Sequence, residues 1–153
     1  PAQALQKGGS PCAQVLNIMK DLQQQRGLTY LFISHNLAVV RHMSDHVGVM
    51  YLGRLVEWAD KATLFSHPRH PYTRGLLDSI PRLEHGRKTR LRVIEGMVPG
   101  LADLPAGCTF ADRCTIAEAR CRAALPAVVD VGAAHGVRCI RTDVSMAAGS
   151  VGA

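Results

Sequence analysis

Leu28-Thr29-Tyr30-Leu31-Phe32-Ile33-Ser34-His35-Asn36 is the stretch on which the reading of the fold turns. Its first six residues make a short, apolar run rich in β-formers, which predicts a buried strand. The polar residues behind them predict a strand that ends where a helix opens. Upstream, Val15, Leu16, Ile18, Met19 and Leu22 recur at three- and four-residue spacing, the stripe of an amphipathic helix from Ala13, with Arg26 in its last turn and Gly27 as its stop. Downstream, Leu37, Val39, Val40 and Met43 resume helical spacing. His46 to Tyr51 then reads as a strand, Leu52-Gly53 as a turn, and Arg54 to Trp58 as the hairpin partner. Asp60 predicts the N-cap of a short helix from Lys61 to Phe65. This α–β–α–β order gives an α/β class. Two or three strands alone make a poor sheet, so it predicts the later part of a larger one.

The texture changes near residue 67. His67-Pro68-Arg69-His70-Pro71-Tyr72 predicts a stiff, extended connector, because each proline pushes its predecessor out of the α region. Tyr72 to Ile80 predicts a short helix stopped by Pro81, and Leu91 to Glu95 a single strand. Residues 101–143 are loop-rich and hold four of the five cysteines, and Val144 to Ala153 predicts a frayed, disordered tail. The 153 residues, 47% of them apolar, can fill one ordinary domain or two small ones. No apolar run of about eighteen residues suggests a membrane span. Pro1 to Ser10 lacks the apolar core of a signal peptide, so the cysteines read as thiols or metal ligands before disulfides. The formal charge of +6 favours anionic partners only weakly, and aromatics at 5% are too sparse for a base-stacking surface. Nucleic acid is therefore not an expected partner.

Two constellations could carry chemistry. His35, between a strand end and a helix start, would lie at the carboxyl edge of a sheet, where an imidazole can bond a phosphate oxygen or a water. The competing reading has Ser34 or Asn36 merely capping the helix and His35 as surface. The second constellation is Cys108, Cys114, Cys121 and Cys139, spaced C-x5-C-x6-C-x17-C. Four thiolates can hold zinc or a cubane iron–sulfur cluster. The C-x2-C pair of most zinc ribbons is missing, and buried thiols or two disulfides also fit. Arg113, Arg120, Arg122 and Arg138 flank these cysteines and are expected to favour thiolates. Cys12 stands apart from the group. The basic run Arg82 to Arg92 could meet lipid headgroups or nucleic acid but reads first as a solvated linker. No G-x-x-x-x-G-K-[ST] loop, no signature-type glycine pair and no nucleophilic triad occurs.

Several segments together carry a family pattern. Phe32-Ile33-Ser34-His35-Asn36-Leu37, Val49-Met50-Tyr51-Leu52-Gly53-Arg54 and His70-Pro71-Tyr72-Thr73-Arg74-Gly75-Leu76-Leu77 are followed by Ile80-Pro81, Gly96-Met97-Val98-Pro99-Gly100, Gly107-Cys108, Arg113-Cys114 and Cys121. The chain thereby resembles the C-terminal portion of the ATP-binding subunits of oligopeptide/dipeptide ABC importers, from about Ala13 to Cys139. A switch histidine alone would indicate only some ABC ATPase. The His-Pro-Tyr-Thr segment with the cysteine spacing points to the peptide-importer branch.

The resemblance implies the C-terminal part of a P-loop ABC ATPase domain over residues 1–66, with residues 1–12 unmatched, then a small Cys-rich irregular extension over 67–143. It implies that His35 is the switch histidine, which contacts the γ-phosphate of ATP and helps hold the attacking water. It also implies that Cys108, Cys114, Cys121 and Cys139 match cysteines that bind a [4Fe–4S] cluster in some relatives. ATP and Mg2+ belong to the full-length family. The implied partners are membrane permease subunits and a second ATPase subunit, on the inner face of the cell membrane. The family's phosphate loop, signature motif and acidic catalytic strand would lie upstream of Ala13. Pro1 to Cys12 does not match that strand, which predicts a truncated or mis-started frame and no ATP hydrolysis by the chain alone. The alternative is a free-standing iron–sulfur or zinc module with a regulatory role.

Overall fold

The computed structural model describes residues 11–80, 93–132 and 134–142. The basic run, the tail and Pro1 to Ser10 lie outside the described residues. By contacts the chain divides into two compact units, Pro1–Ser44 and Asp45–Ala153.

In the first unit, helix α1 spans Pro11–Arg26. Gly27 ends it at φ +64°, and the Leu28 N–H returns to the Gln23 carbonyl at 3.2 Å. This is a Schellman closure, which needs a residue tolerant of the left-handed region. Residues 28–34 form no strand, against the sequence expectation. Leu31 is 94% exposed and Ile33 87%, so the run is not buried either. A strand exists only where another backbone pairs with it, and no described segment pairs with this one. Helix α2, Leu37–Met43, begins where the sequence places it.

The second unit is built on an antiparallel hairpin. β1, His46–Tyr51, alternates exposed and buried residues, and β2, Arg54–Asp60, returns beside it. Leu52 at φ +47° and Gly53 at φ +75° make the two-residue turn. Between the Val49–Glu57 and Met50–Leu55 pairs the register shifts by one residue, leaving Val56 as a bulge. The bulge breaks the alternation, so that Val56 and Glu57 are both buried. Helix α3, Lys61–Ser66, follows with Asp60 as its N-cap, its Oδ1 accepting the Thr63 N–H at 3.0 Å. Helix α4, Pro71–Asp78, opens on a proline at its first turn with His70 as N-cap.

The Cys-rich segment is not wholly irregular. It holds 3₁₀ turns at Leu101–Asp103 and Ala111–Arg113, the short helix α5 at Ala119–Ala123, and two-residue strands β3, Val129–Asp130, and β4, Gly136–Val137. β4 pairs with β2, completing a four-stranded sheet in the order β1-β2-β4-β3. The hairpin is thus covered by later residues of the same chain, in an antiparallel sheet rather than a parallel one. No strand occurs at 93–95, where Val93 is 79% exposed. The core collects Val56, Ala59, Leu64, Phe110 and Val137. Tyr51, Tyr72 and Phe110 stack with ring centroids 4.6 to 5.4 Å apart, which ties β1, α4 and the cysteine loop together.

Candidate functional site

Cys108, Cys114, Cys121 and Cys139 all line one cavity in the second unit, with His70, Phe110, Ile116 and Arg141 among the other lining residues. All four are free thiols. Cys108 is placed by a close backbone crossing. Its N–H donates to the Cys121 carbonyl at 2.7 Å, and a Cβ on the preceding Gly107 would lie 2.3 Å from that oxygen. Cys121 is presented by α5 and Cys139 by the chain leaving β4. Arg141 pairs with Glu118, the residue before α5, closing the loop around the last two cysteines.

Each sulfur faces a backbone N–H. The Glu118 N–H donates to Cys121 Sγ and the Arg141 N–H to Cys139 Sγ, both at 3.4 Å. Burial raises the Cys108 and Cys114 thiols above their ordinary value, while the N–H groups of Phe110 and of Ile116 act in the opposite direction. Burial pushes Cys139 up to about 11 against the Arg141 N–H. The flanking arginines are held chiefly by other partners. Arg113 donates to the carbonyls of Ile94 and Glu95, Arg120 to Glu118, Arg122 to Asp112, and Arg138 to the carbonyls of Leu55 and Pro126. Arg122 bears on Cys114, as the smallest influence on that thiol. Spacing in sequence placed these guanidiniums near the cysteines, but backbone carbonyls and carboxylates claim them.

Among the described residues, no three His, Cys, Asp or Glu side chains converge closely enough to hold a single metal ion. Zinc with bonds of about 2.3 Å would require sulfurs within roughly 4 Å of one another. The four thiols line one space, a donor set of the kind that holds zinc or an iron–sulfur cluster.

A buried polar group supports the cavity wall. Glu57 is fully buried and accepts from the N–H groups of Arg69 at 2.6 Å and His70 at 2.9 Å, and it bonds His135 Nε2 at 2.7 Å. It thus fixes the residues before α4 from the floor of β2. His70 is 1% exposed. Its Nδ1 accepts the Tyr72 N–H at 3.1 Å, and its Nε2 has no partner among the described residues. Burial, partly offset by Glu57, holds its ring down to about 4. Neither Glu57 nor His135 was singled out from the sequence. The signal was a lone carboxylate in the apolar run Leu55-Val56-Glu57-Trp58-Ala59.

His35 lies in the other unit, exposed, at the bend before α2. Asn36 is the cap of that helix, its Oδ1 accepting the N–H groups of Ala38 at 3.0 Å and Val39 at 3.3 Å, and Ser34 Oγ accepts the Asn36 N–H at 3.0 Å. The local polar residues therefore do serve as a cap, which leaves the His35 ring unassigned by its surroundings.

Residues 56–121 match the family model described as the oligopeptide/dipeptide transporter, C-terminal region. The span runs from the β2 bulge through Glu57, His70-Pro71-Tyr72 and three of the four cavity cysteines. Over those residues the chain is similar to that family's C-terminal region. At the level of individual proteins, it is similar to peptide import ATP-binding proteins of Brucella ovis and Brucella melitensis, each 49% identical over 134 residues, covering 84% of this chain and 40% of theirs. A second such protein of Brucella ovis is 44% identical over 132 residues, covering 86% of this chain and 42% of its own length. The chain therefore spans about two-fifths of the length of these relatives. Among the described residues, no helix is long and apolar enough to cross a membrane.

Proposed function

We infer that the chain is the C-terminal portion of the ATP-binding protein of a peptide ABC import system, and that its cysteine cavity holds an iron–sulfur cluster. The observation that carries the reading is the cavity itself: four cysteines drawn from a 32-residue span face one space. The family match over residues 56–121 supports the importer part of the reading. In this reading residues 1–66 continue the nucleotide-binding domain, 67–143 form the extension and 144–153 a tail. Cys108, Cys114, Cys121 and Cys139 are the ligands. A [4Fe–4S] cluster bound there would supply a structural or one-electron centre. The chain's own contribution is the backbone donors on each sulfur and the removal of water by Phe110 and Ile116.

In the whole protein, His35 contacts the γ-phosphate of ATP bound with Mg2+, and hydrolysis in two paired ATPase subunits drives the permease subunits from the cytoplasmic face. Phosphoryl transfer is positioning and electrostatics. These 153 residues lack a phosphate loop, so alone they turn over no ATP. The test is anaerobic purification with iron, zinc and acid-labile sulfide analysis, beside a phosphate-release assay. Iron with equal sulfide and no ATP turnover are expected. Colourless, metal-free protein would overturn the cluster, and turnover abolished by His35→Ala would overturn the reading of an incomplete ATPase.

A further inference from the structure

His70 is among the residues that line the cysteine cavity, and the hydrogen bonding of its ring is half complete. Nδ1 accepts the Tyr72 N–H at 3.1 Å, so the ring's proton resides on Nε2. That Nε2 is buried without a partner among the described residues. A buried N–H lacking an acceptor is costly and uncommon in native proteins. The ring is also held rigidly. Glu57 bonds the His70 backbone N–H, Pro71 follows it, and Phe110 lies against it at 5.9 Å between ring centroids. Its orientation is thereby set before anything occupies the cavity. The other groups lining the space are four sulfurs, the Arg141 side chain and apolar residues. Sulfur is the acceptor that the cavity offers.

We propose that His70 donates a hydrogen bond from Nε2–H to a sulfur of the group bound by the four cysteines, and so tunes that group without ligating it. The proposal rests on the cluster reading above. Ligation through Nε2 would require that nitrogen to lose its proton while Nδ1 still accepts from Tyr72, which the tautomer forbids. Donation to sulfur stabilises the more negative, reduced state, so it raises the reduction potential.

The two amide isosteres separate the donor from the cap. Asn places an oxygen where Nδ1 stands and keeps the α4 cap, while removing the Nε2 donor. Gln places an N–H near Nε2. The 153-residue chain and both variants are reconstituted anaerobically with iron and sulfide and titrated with dithionite. His70→Asn is expected to shift the reduction equilibrium about tenfold toward the oxidised state, which is about 59 mV for a one-electron couple, with His70→Gln near the unsubstituted value. Electron spin-echo spectroscopy of the unsubstituted chain, labelled with 15N-histidine and compared in H2O and D2O, should show a weakly coupled imidazole nitrogen and an exchangeable proton. That readout does not depend on the variants folding. An assembled cluster with no such coupling, or with the same potential in His70→Asn, overturns this proposal alone. A strong nitrogen coupling overturns it in favour of ligation. Failure of the unsubstituted chain to assemble a cluster overturns both this and the reading beneath it.

Discussion

Glu57 occupies a strand position with no exposed surface, and its two oxygens serve two backbone N–H groups and one imidazole. Removing the carboxylate by Glu57→Ala leaves two backbone N–H groups and the buried His135 ring without this acceptor. The expected loss is about 3–5 kcal/mol of folding stability, read from urea unfolding, in line with breaking a buried ionic network. Retention of stability within about 1 kcal/mol would mean that the network is not what fixes the segment before α4. His70 makes a separate prediction in pH. Burial lowers its ring from 6.5 to about 4. The unfolded chain therefore takes up a proton on this ring well before the folded chain does. The stability linked to neutral His70 is fully present above pH 6.5 and falls away as the pH drops toward about 4. The difference between the unsubstituted chain and His70→Asn should shrink over that window by about 3 kcal/mol. A pH-independent difference would contradict the buried, neutral ring. The sequence shows His70 within a recognisable motif and Glu57 as an anomaly in an apolar run. It does not show that they meet, because twelve residues and a helix lie between them.

At the scale of elements, the glycines report where backbones crowd. A Cβ on Gly107 would lie 2.3 Å from the Cys121 carbonyl and 2.7 Å from Arg122 backbone atoms. Backbone cannot swing aside as a side chain can, so Gly107→Ala should separate Cys108 from Cys121. The expected cost is about 1–3 kcal/mol by thermal unfolding, as for other overpacked sites, with a parallel loss of metal uptake. Unchanged stability would show that the crossing is loose. What the sequence conveyed at this scale followed the range of the interactions. The hairpin, the Asp60 cap and the Gly27 stop are local, and each stands within a residue or two of its expected place. The run Leu28 to Ile33 has strand composition, yet composition supplies no partner, and without one the backbone stays unpaired and Leu31 exposed. β3 and β4 are two residues long and carry no period to read, so the closure of the sheet by the Cys-rich segment was not legible. Gly136 is placed by that closure, because a Cβ there would meet the Trp58 ring at 2.2 Å.

At the scale of the whole molecule, the two candidate sites belong to different compact units, His35 to the first and the cysteines to the second. The residues around His35 form a helix cap, whereas the four cysteines line one cavity within their own unit. The cluster is therefore the claim that these residues can test by themselves. Folded thiols raised by burial must give up protons on binding metal, so loading and the fold around the cavity are linked. The most direct measurement is the iron and acid-labile sulfide content of five single variants reconstituted anaerobically: Cys108→Ser, Cys114→Ser, Cys121→Ser, Cys139→Ser and, as the comparison, Cys12→Ser. The account predicts about four iron and four sulfide per chain in the unsubstituted protein and in Cys12→Ser, and a marked loss in each of the other four. Iron content unaffected by any of the cavity substitutions, or lost equally with Cys12→Ser, would contradict it.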